Sequence, residues 1–257
     1  MTDAWNPDQY GRFRAERSQP FYDLLDLVSA TPDARVVDLG CGSGELTSVL
    51  HDRLGAKETL GLDSSASMLA RAPASRIGPR FEQGDIADFD RPGWDVIFSN
   101  AALHWLPDHA RLFERLRRLL RPGGQLAVQM PANNDHPSHV IAAALAAEEP
   151  FRGALAGYHR EWPVLTPEAY SALLFRLGFT FQHVRLQVYA HVLESRGEVV
   201  EWVKGTLLTD YERRLPTELF AQFLARYRER LMDTLPDDRP FLYPFKRILL
   251  RGRLPSA

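Results

Sequence analysis

Apolar residues in the first half of the chain follow two alternating patterns: short β-branched runs, and repeats at the spacing of one helix face. The short runs predict buried strands. Repeats such as Leu46, Val49 and Leu50 predict helices between them. The predicted strands are Arg35–Leu39, Thr59–Leu62, Pro79–Gln83, Trp94–Ser99 and Gln125–Met130; the predicted helices are Pro20–Val28, Glu45–Leu54, one carrying Met68, and Asp108–Leu120. Strands that alternate with helices in this way are typical of a parallel α/β sheet.

The pattern changes after residue 131. Residues 132–163 are longer than ordinary connections, and a connection of that size on an α/β core is usually functional. Further helices are predicted at Val140–Ala147, from Thr166 to Leu177, around Val199–Leu208 and at Pro216–Leu235, and further strands at Phe181–Leu193 and Phe241–Leu254. The two late strands predict an antiparallel pair at the edge of the sheet, with the helical segments forming a cap.

We therefore expect an α/β fold with a doubly wound, mostly parallel Rossmann-like sheet, an antiparallel edge and a helical cap. The expected organisation is a single domain over residues 1–257. Its core covers about 20–131, its cap inserts about 132–165 and 195–240, and its N-terminal lid residues 1–19.

Three glycines at alternate positions follow the first predicted strand. Gly40, Gly42 and Gly44 form a turn in which the backbone can approach a ligand without a Cβ in the way. Position 45 is glutamate, so the dinucleotide pattern G-x-G-x-x-G is not met. Asp38 adds a carboxylate that would repel a diphosphate and attract an ammonium group. The loop therefore predicts an amino-acid nucleoside, S-adenosylmethionine, rather than NAD.

Polar residues also follow the other strands of the predicted sheet. Asp63 ends the second strand, where an acid can accept hydrogen bonds from both ribose hydroxyls. Asp85, with the amide of Ile86, follows the third strand and can recognise an adenine edge. Asn100 follows the fourth strand, at the edge where open α/β sheets bind ligands. Ser64 and Met68, which follow Asp63, complete the cofactor candidates in this part of the chain.

Composition removes several classes of function. The net charge of -2 and the pI of about 6.5 argue against a nucleic-acid partner, which usually leaves a basic footprint. No apolar run approaches the roughly 20 residues that span a bilayer, so no membrane partner is expected. The single cysteine, Cys41, permits no internal disulfide and is consistent with a cytoplasmic location. No His, Cys and Asp cluster has metal-ligand spacing, so no metal is expected.

These motifs resemble those of a known family. The segments 36–44, 84–86, 94–106 and 120–128, together with Asp63, resemble the successive motifs of class I S-adenosylmethionine-dependent methyltransferases. The flanking segments Trp5–Tyr10, Ala15–Ser18, His104–His109, Ala127–Pro131 and Glu201–Val203, with Pro244, Phe245 and Arg247, are similar to those of trans-aconitate methyltransferases. The resemblance implies methyl transfer to one carboxylate of trans-aconitate, giving a monomethyl ester. His104 is a departure, because glutamine is typical of the family there.

A carboxylate substrate has a pKa of about 4 and is already an anion at neutral pH, so no catalytic general base is expected. The enzyme must instead hold the anion in line with the methyl donor and exclude water. Arginine suits a polycarboxylate because its planar fork binds a carboxylate through two bonds. The substrate candidates are Arg17, Arg247, His104, Gln129, His139 and Trp202; Arg14 is a further arginine, and Tyr10 and Trp105 are expected to cover the cofactor.

Two alternatives stay open at this point. One is a methyltransferase of the same fold that esterifies another carboxylate, such as a malonyl group on a carrier protein. The other is a non-catalytic regulatory protein that binds S-adenosylmethionine. The intact glycines, Asp38 and Asp63 favour an enzyme, since a purely structural role would not require them together.

Overall fold

The structure is a computed structural model that describes residues 14–29, 32–73 and 78–256, with side chains from residue 18 onward. Its strands are β1 (Arg35–Leu39), β2 (Glu58–Asp63), β3 (Arg80–Gln83), β4 (Trp94–Asn100), β5 (Leu120–Pro131), β6 (Phe181–Leu193) and β7 (Phe241–Arg253). They form one sheet in the order β3-β2-β1-β4-β5-β7-β6. The first five strands pair in parallel, and β7 lies antiparallel to both β5 and β6. The predicted fold class is confirmed.

Ten helices accompany the sheet in the described ranges: α1 (Arg14–Leu25), α2 (Glu45–Leu54), α3 (Ala66–Leu69), α4 (His109–Leu119), α5 (Pro137–Ala146), α6 (Phe151–Ala154), α7 (Pro167–Arg176), α8 (Gly197–Lys204), α9 (Thr209–Arg214) and α10 (Thr217–Thr234). Two short 3-10 turns cover Ile86–Asp88 and Leu103–Trp105. The boundaries of α7 follow from local chemistry. The Thr166 hydroxyl accepts a hydrogen bond from the Ala169 amide at 3.3 Å, and Gly178 has a positive φ of 82° just beyond the helix end.

Two elements begin five or more residues earlier than the sequence predicts. Helix α1 starts at Arg14 and contains Pro20, which the prediction used as the helix start. A proline removes one backbone donor, yet Phe21, Leu24 and Leu25 after it are buried against the sheet. Strand β5 starts at Leu120, because Leu120 pairs with Trp94 of β4 and the segment before residue 125 bonds to Leu254 and Pro255. There the Leu254 amide donates to the Gly124 carbonyl at 2.9 Å.

Apolar residues cover both faces of the sheet, and neighbouring residues of β1 show how. Val36 packs on the side of α1 and α2, whereas Val37 packs on the side of α4 and α7. A third apolar cluster lies in the cap, where Trp202 of α8 and Phe223 of α10 pack with Tyr243 of β7. The boundaries predicted for the domain, its cap inserts and its lid stay predictions. No helix in the described ranges is long and apolar enough to cross a membrane.

The strand order places the functional edge. From β1 the chain moves outward to β2 and β3, then returns to β4 on the other side of β1 and continues to β5. Ligands of open α/β sheets bind at the carboxyl ends of strands beside such a reversal. The glycine loop after β1 and the turn after β4 meet at this point.

Candidate functional site

The glycine loop after β1 approaches the turn after β4 closely. Gly40 has a φ of 82°, and a Cβ at this position would lie 2.2 Å from the Cβ of Ala102. The Gly42 amide donates to the Asp63 carboxylate at 2.8 Å. Gly44 also has a positive φ, but a Cβ there would meet the ring of Phe81 at 2.4 Å. Gly44 is predicted to bind the cofactor, but it does not line the larger of the two cavities described in the next paragraphs. It instead allows the turn and the close packing on Phe81.

Asp63, at the end of β2, is held by the backbone. Its second carboxylate oxygen accepts a hydrogen bond from the Ser65 amide at 2.9 Å. The Ser65 hydroxyl in turn caps α3 by accepting from the Met68 amide at 3.1 Å. Ser65 is therefore the cap of α3, whereas the neighbouring Ser64 lines the cavity described below. The carboxylate of Asp63 is thus fixed at the sheet edge with lone pairs left for a ligand.

A cavity of about 390 Å³ lies above these strand ends. It is lined by Gly40, Gly42, Asp63, Ser64, Met68, Asp85, Ile86, Asn100, Ala101, Ala102, Trp105, Leu106, Gly205, Thr209, Asp210 and Arg213. Most of the predicted cofactor residues between Gly40 and Trp105 meet here, whereas the last four residues come from the cap and are not predicted from the sequence. Asp85 has two roles, because it also accepts a hydrogen bond from the Ala87 amide at 2.8 Å.

Asp38 does not line the cavity, although it is predicted to bind the cofactor there. Its side chain is buried and does not line the cavity, because the Thr47 hydroxyl of α2 donates to it at 2.6 Å beneath the glycine loop. Burial, together with the negative charge of Asp63, raises the pKa of Asp38 to about 7, although the Thr47 hydrogen bond opposes the rise. Asp38 can therefore influence a ligand through its charge, without lining the cavity.

A second, smaller cavity of about 70 Å³ adjoins the first and shares Ala101 and Trp105 with it. It is lined by Ala101, His104, Trp105, Pro131, His139, Arg160, Trp162, Trp202, Val203, Thr206, Leu207, Phe245 and Arg247. Four of the predicted substrate residues meet here: His104, His139, Trp202 and Arg247. The cations Arg160 and Arg247 make this cavity suited to an anion.

Both histidines of the second cavity are neutral near pH 7. Burial is the main cause, and the charges of nearby arginines add to it, so that the pKa of His104 and that of His139 fall to about 3. The Nδ1 atom of His104 is buried and has no hydrogen-bond partner among the described residues. A neutral imidazole can offer a ligand one donor or one acceptor but no charge.

The turn that carries His104 and Trp105 is fixed from behind. His109 Nε2 bonds to the Leu103 carbonyl at 3.1 Å, and this carbonyl can only accept, so Nε2 carries the proton. His109 Nδ1 then accepts from the Tyr170 hydroxyl, whose oxygen accepts from the Leu165 amide at 3.2 Å. Burial lowers the pKa of His109, which is consistent with this neutral form.

The two arginines of the second cavity are held differently. Arg160 donates to Asp210 at 3.0 Å and lies over the ring of Trp105, 4.9 Å from its centroid. Arg247 is buried, lies over the ring of Phe245 and donates to the Gln129 side chain at 3.5 Å. Gln129 itself does not line the cavity, which departs from its prediction, because it is fully buried in β5 beneath Arg247.

Sequence reasoning missed Arg160, Trp162 and the cap residues of α9. A signal existed for the first two: they lie in the long connection that was expected to be functional, where a cation stands between aromatic residues. The prediction for Tyr10 lies outside the described residues. Arg17 belongs to α1, but its side chain is outside the description, as is that of Arg14. Among the residues that the structure describes, no group of His, Cys, Asp and Glu can hold a metal ion.

The chain is similar to known proteins over nearly its whole length. A sequence profile of the family described as "Methyltransferase domain" matches residues 37–128. The chain is 47% identical to the trans-aconitate 2-methyltransferase of Deinococcus radiodurans, over 98% of this chain and 99% of that protein. It is 42% identical to the enzyme of the same name from Methylobacterium nodulans, over 97% of this chain and 98% of that protein. The solved structure of an S-adenosylmethionine-dependent methyltransferase from Mesorhizobium loti has a TM-score of 0.51 at 26% identity, covering 91% of this chain and 96% of that one.

Proposed function

Because this chain belongs to the trans-aconitate 2-methyltransferase family, we propose that it transfers the methyl group of S-adenosylmethionine to one carboxylate of trans-aconitate, forming a monomethyl ester. The observation that carries the proposal is the pairing of two adjoining cavities. One is lined by the glycine loop, three acids and a single arginine, Arg213, and the other by two arginines and no acid. A cationic methyl donor and an anionic acceptor suit these two environments, and Trp105 lies between them.

S-adenosylmethionine is the cofactor, and the residues of the larger cavity fit it. The absent Cβ of Gly40 leaves the loop in close contact with Ala102, so the backbone itself borders the cavity. Asp63 offers acceptors for ribose hydroxyls, and the Asn100 side-chain oxygen, which has no hydrogen-bond partner among the described residues, offers an acceptor for an ammonium donor. When bound, the cofactor supplies a methyl group on a positively charged sulfur. Asp63, Asp85 and Asp210 favour that charge.

In the smaller cavity the chain binds and orients the acceptor. Arg247 and Arg160 are proposed to hold the carboxylates that do not react, each with a guanidinium fork. His104 and His139, both neutral, are proposed to add hydrogen bonds without adding charge. The reacting carboxylate is already ionised, so the protein need not remove a proton. Its contribution is orientation and the exclusion of water by aromatic walls such as Trp162 and Trp202.

The N-terminal segment completes the proposal. Trp5, Tyr10 and Phe13 are aromatic and precede the sheet without being needed to build it, so we propose that they close over the site. Arg17 is proposed to pair with a substrate carboxylate as that segment closes. The proposed location is the cytoplasm, on the ground of the single cysteine.

The test is a methylation assay with labelled cofactor and purified protein. The acceptors are trans-aconitate, cis-aconitate, isocitrate, citrate and a malonyl carrier protein. We expect trans-aconitate to give the highest kcat/KM and a monomethyl ester as product. Higher turnover of the carrier protein would overturn the substrate assignment in favour of the carrier-protein alternative. Cofactor binding without methylation of any acceptor would indicate a regulatory protein.

A further inference from the structure

The segment that joins α8 to α9 divides the two cavities. Thr206 and Leu207 of this segment face the smaller cavity, whereas Gly205 of the segment and Thr209 and Asp210 at the start of α9 face the larger one. A ligand that changes the charge or the position of this segment in one cavity can therefore affect binding in the other cavity.

One ion pair crosses this partition. Arg160 belongs to the smaller cavity and Asp210 to the larger, and Arg160 Nη1 lies 3.0 Å from Asp210 Oδ2. Their side chains are only 14% and 24% exposed, so water screens the pair less than it would on an open surface. The charge that faces an anionic substrate is thus partly neutralised by a carboxylate that faces the cofactor.

We infer that Asp210 is a positioning residue that couples the two sites, so that a cationic ligand in the cofactor cavity strengthens the binding of the anionic substrate. The inference rests on the proposed function, because it takes the smaller cavity as the substrate site. A positive charge in the larger cavity competes with Arg160 for the Asp210 carboxylate. Arg160 then presents more of its charge and more of its donors to a substrate carboxylate. Thermodynamic linkage requires the reverse effect to be equally large.

Arg160 does not depend on Asp210 alone for its position. Its guanidinium also donates to the Leu207 carbonyl at 3.3 Å and lies over the ring of Trp105. Removal of the Asp210 charge should therefore leave Arg160 in place with its charge uncompensated. Asp210→Asn should therefore strengthen, not weaken, the binding of substrate to the cofactor-free protein. If Asp210 served only to hold Arg160 in position, Asp210→Asn would weaken substrate binding.

The experiment measures the Kd of trans-aconitate by calorimetry in three states of the wild-type protein. These are the free protein, the protein saturated with the demethylated cofactor, and the protein saturated with a cofactor analogue in which a protonated amine replaces the methylsulfonium. The analogue cannot react, so binding is observed alone. We expect it to tighten trans-aconitate binding about tenfold, within the range usual for coupled sites. The demethylated cofactor, whose sulfur is neutral, should have a smaller effect. Equal effects of the two ligands would overturn the inference without the use of any variant.

The variants then locate the coupling. In Asp210→Asn we expect the free protein to bind trans-aconitate at least about threefold more tightly, and the effect of the amine analogue to fall at least threefold. Asp237→Asn is the matched control, since Asp237 pairs with Arg196 at 3.2 Å and lines neither cavity. It should leave both values unchanged.

The outcomes separate the two proposals. A wild-type protein that methylates trans-aconitate, with an Asp210→Asn variant that binds it more weakly or keeps the full coupling, overturns this inference alone. A wild-type protein that neither binds nor methylates trans-aconitate overturns the proposed function, and the inference with it.

Discussion

The two cavities lie side by side but come from different parts of the chain. The larger is formed mainly by strand ends and turns between Gly40 and Leu106, where backbone geometry decides what a ligand can approach. The smaller is formed by side chains gathered between Ala101 and Arg247, from a turn, a long connection, the cap and β7. The larger cavity is therefore fixed by the backbone at the strand ends, whereas the smaller cavity depends on side chains that come from distant parts of the chain.

The two cavities also treat charge in opposite ways. Three acids and one arginine, Arg213, line the larger cavity, while the smaller cavity combines two arginines with two histidines that burial keeps neutral. Arg160 and Asp210 pair across the boundary. If the comparison is right, loss of an acid of the larger cavity should weaken binding of the cofactor, and loss of an arginine of the smaller cavity should weaken binding of the acceptor. Apart from Arg160 and Asp210, a change in one cavity should have little effect on binding in the other.

The largest effect is expected for Asp63→Ala. The change removes the proposed acceptors for two ribose hydroxyls and leaves the amides of Gly42 and Ser65 without their partner. Hydrogen bonds to a charged group contribute about 1.5–3 kcal/mol each, so cofactor affinity should fall at least about 100-fold. Calorimetry with the cofactor measures this directly. Asp52→Ala, which changes an exposed acid of α2 that lines neither cavity, serves as control, and wild-type affinity in Asp63→Ala would contradict the ribose assignment.

The next effect concerns the acceptor side. Arg247→Gln should lower kcat/KM for trans-aconitate at least about tenfold, or about 1.4 kcal/mol, because a buried guanidinium that lines the smaller cavity and is proposed to hold a substrate carboxylate is lost. Cofactor Kd should change little. Arg247→Lys should restore only part of the activity, since a point charge does not reproduce the fork. Arg251→Gln, on the same strand but bonded to Gln125 and Ser29, is the control. If Arg247→Gln weakened cofactor binding as much as it lowered kcat/KM, the two cavities would not have separate roles.

A similar loss is expected for Arg17→Ala if the N-terminal segment closes over the acceptor. We expect about a tenfold fall in kcat/KM for trans-aconitate, partly rescued by Arg17→Lys, with cofactor affinity nearly unchanged. Steady-state kinetics at saturating cofactor measure it. Unchanged turnover would leave Arg160 and Arg247 as the arginines that bind the substrate and would remove Arg17 from the site.

The pH dependence of the rate should show almost no effect near neutrality. The pKa values of His104 and His139 are lowered to about 3, so both histidines stay neutral as the pH falls from 8 to 6. The substrate carboxylate protonates only near or below about pH 5. At saturating cofactor, kcat should therefore vary by less than about twofold over that range. A steep loss between pH 8 and 6 that disappears in His104→Gln would reveal a catalytic histidine.

Sequence patterns predict most of the strand-end residues that meet in the larger cavity, because their positions depend on local signals. Asp63 and Asn100 stand directly after apolar strands, and parallel strands bring their carboxyl ends to one edge. Arg160 lies in a connection that was expected to be functional, but nothing local indicates that this connection folds back over Trp105. Gln129 shows the reverse error. Resemblance placed it in the acceptor site, but it is a fully buried residue of β5, and Arg247 is the residue that lines the cavity.

Asp38 permits the subtlest test of the cofactor side. Its pKa is raised to about 7 in the free protein, mainly by burial, so near pH 6.5 the carboxyl group is largely protonated. A cation bound above the glycine loop favours the ionised form and lowers that pKa, so binding must release a fraction of a proton. Cofactor affinity should accordingly weaken as the pH falls below about 7 and level off above it. Calorimetry at pH 6.5 in two buffers of different ionisation enthalpy measures the proton release, and Asp38→Asn should abolish it. Release that persists in the variant would assign the proton to another group and would limit Asp38 to its hydrogen bond with Thr47.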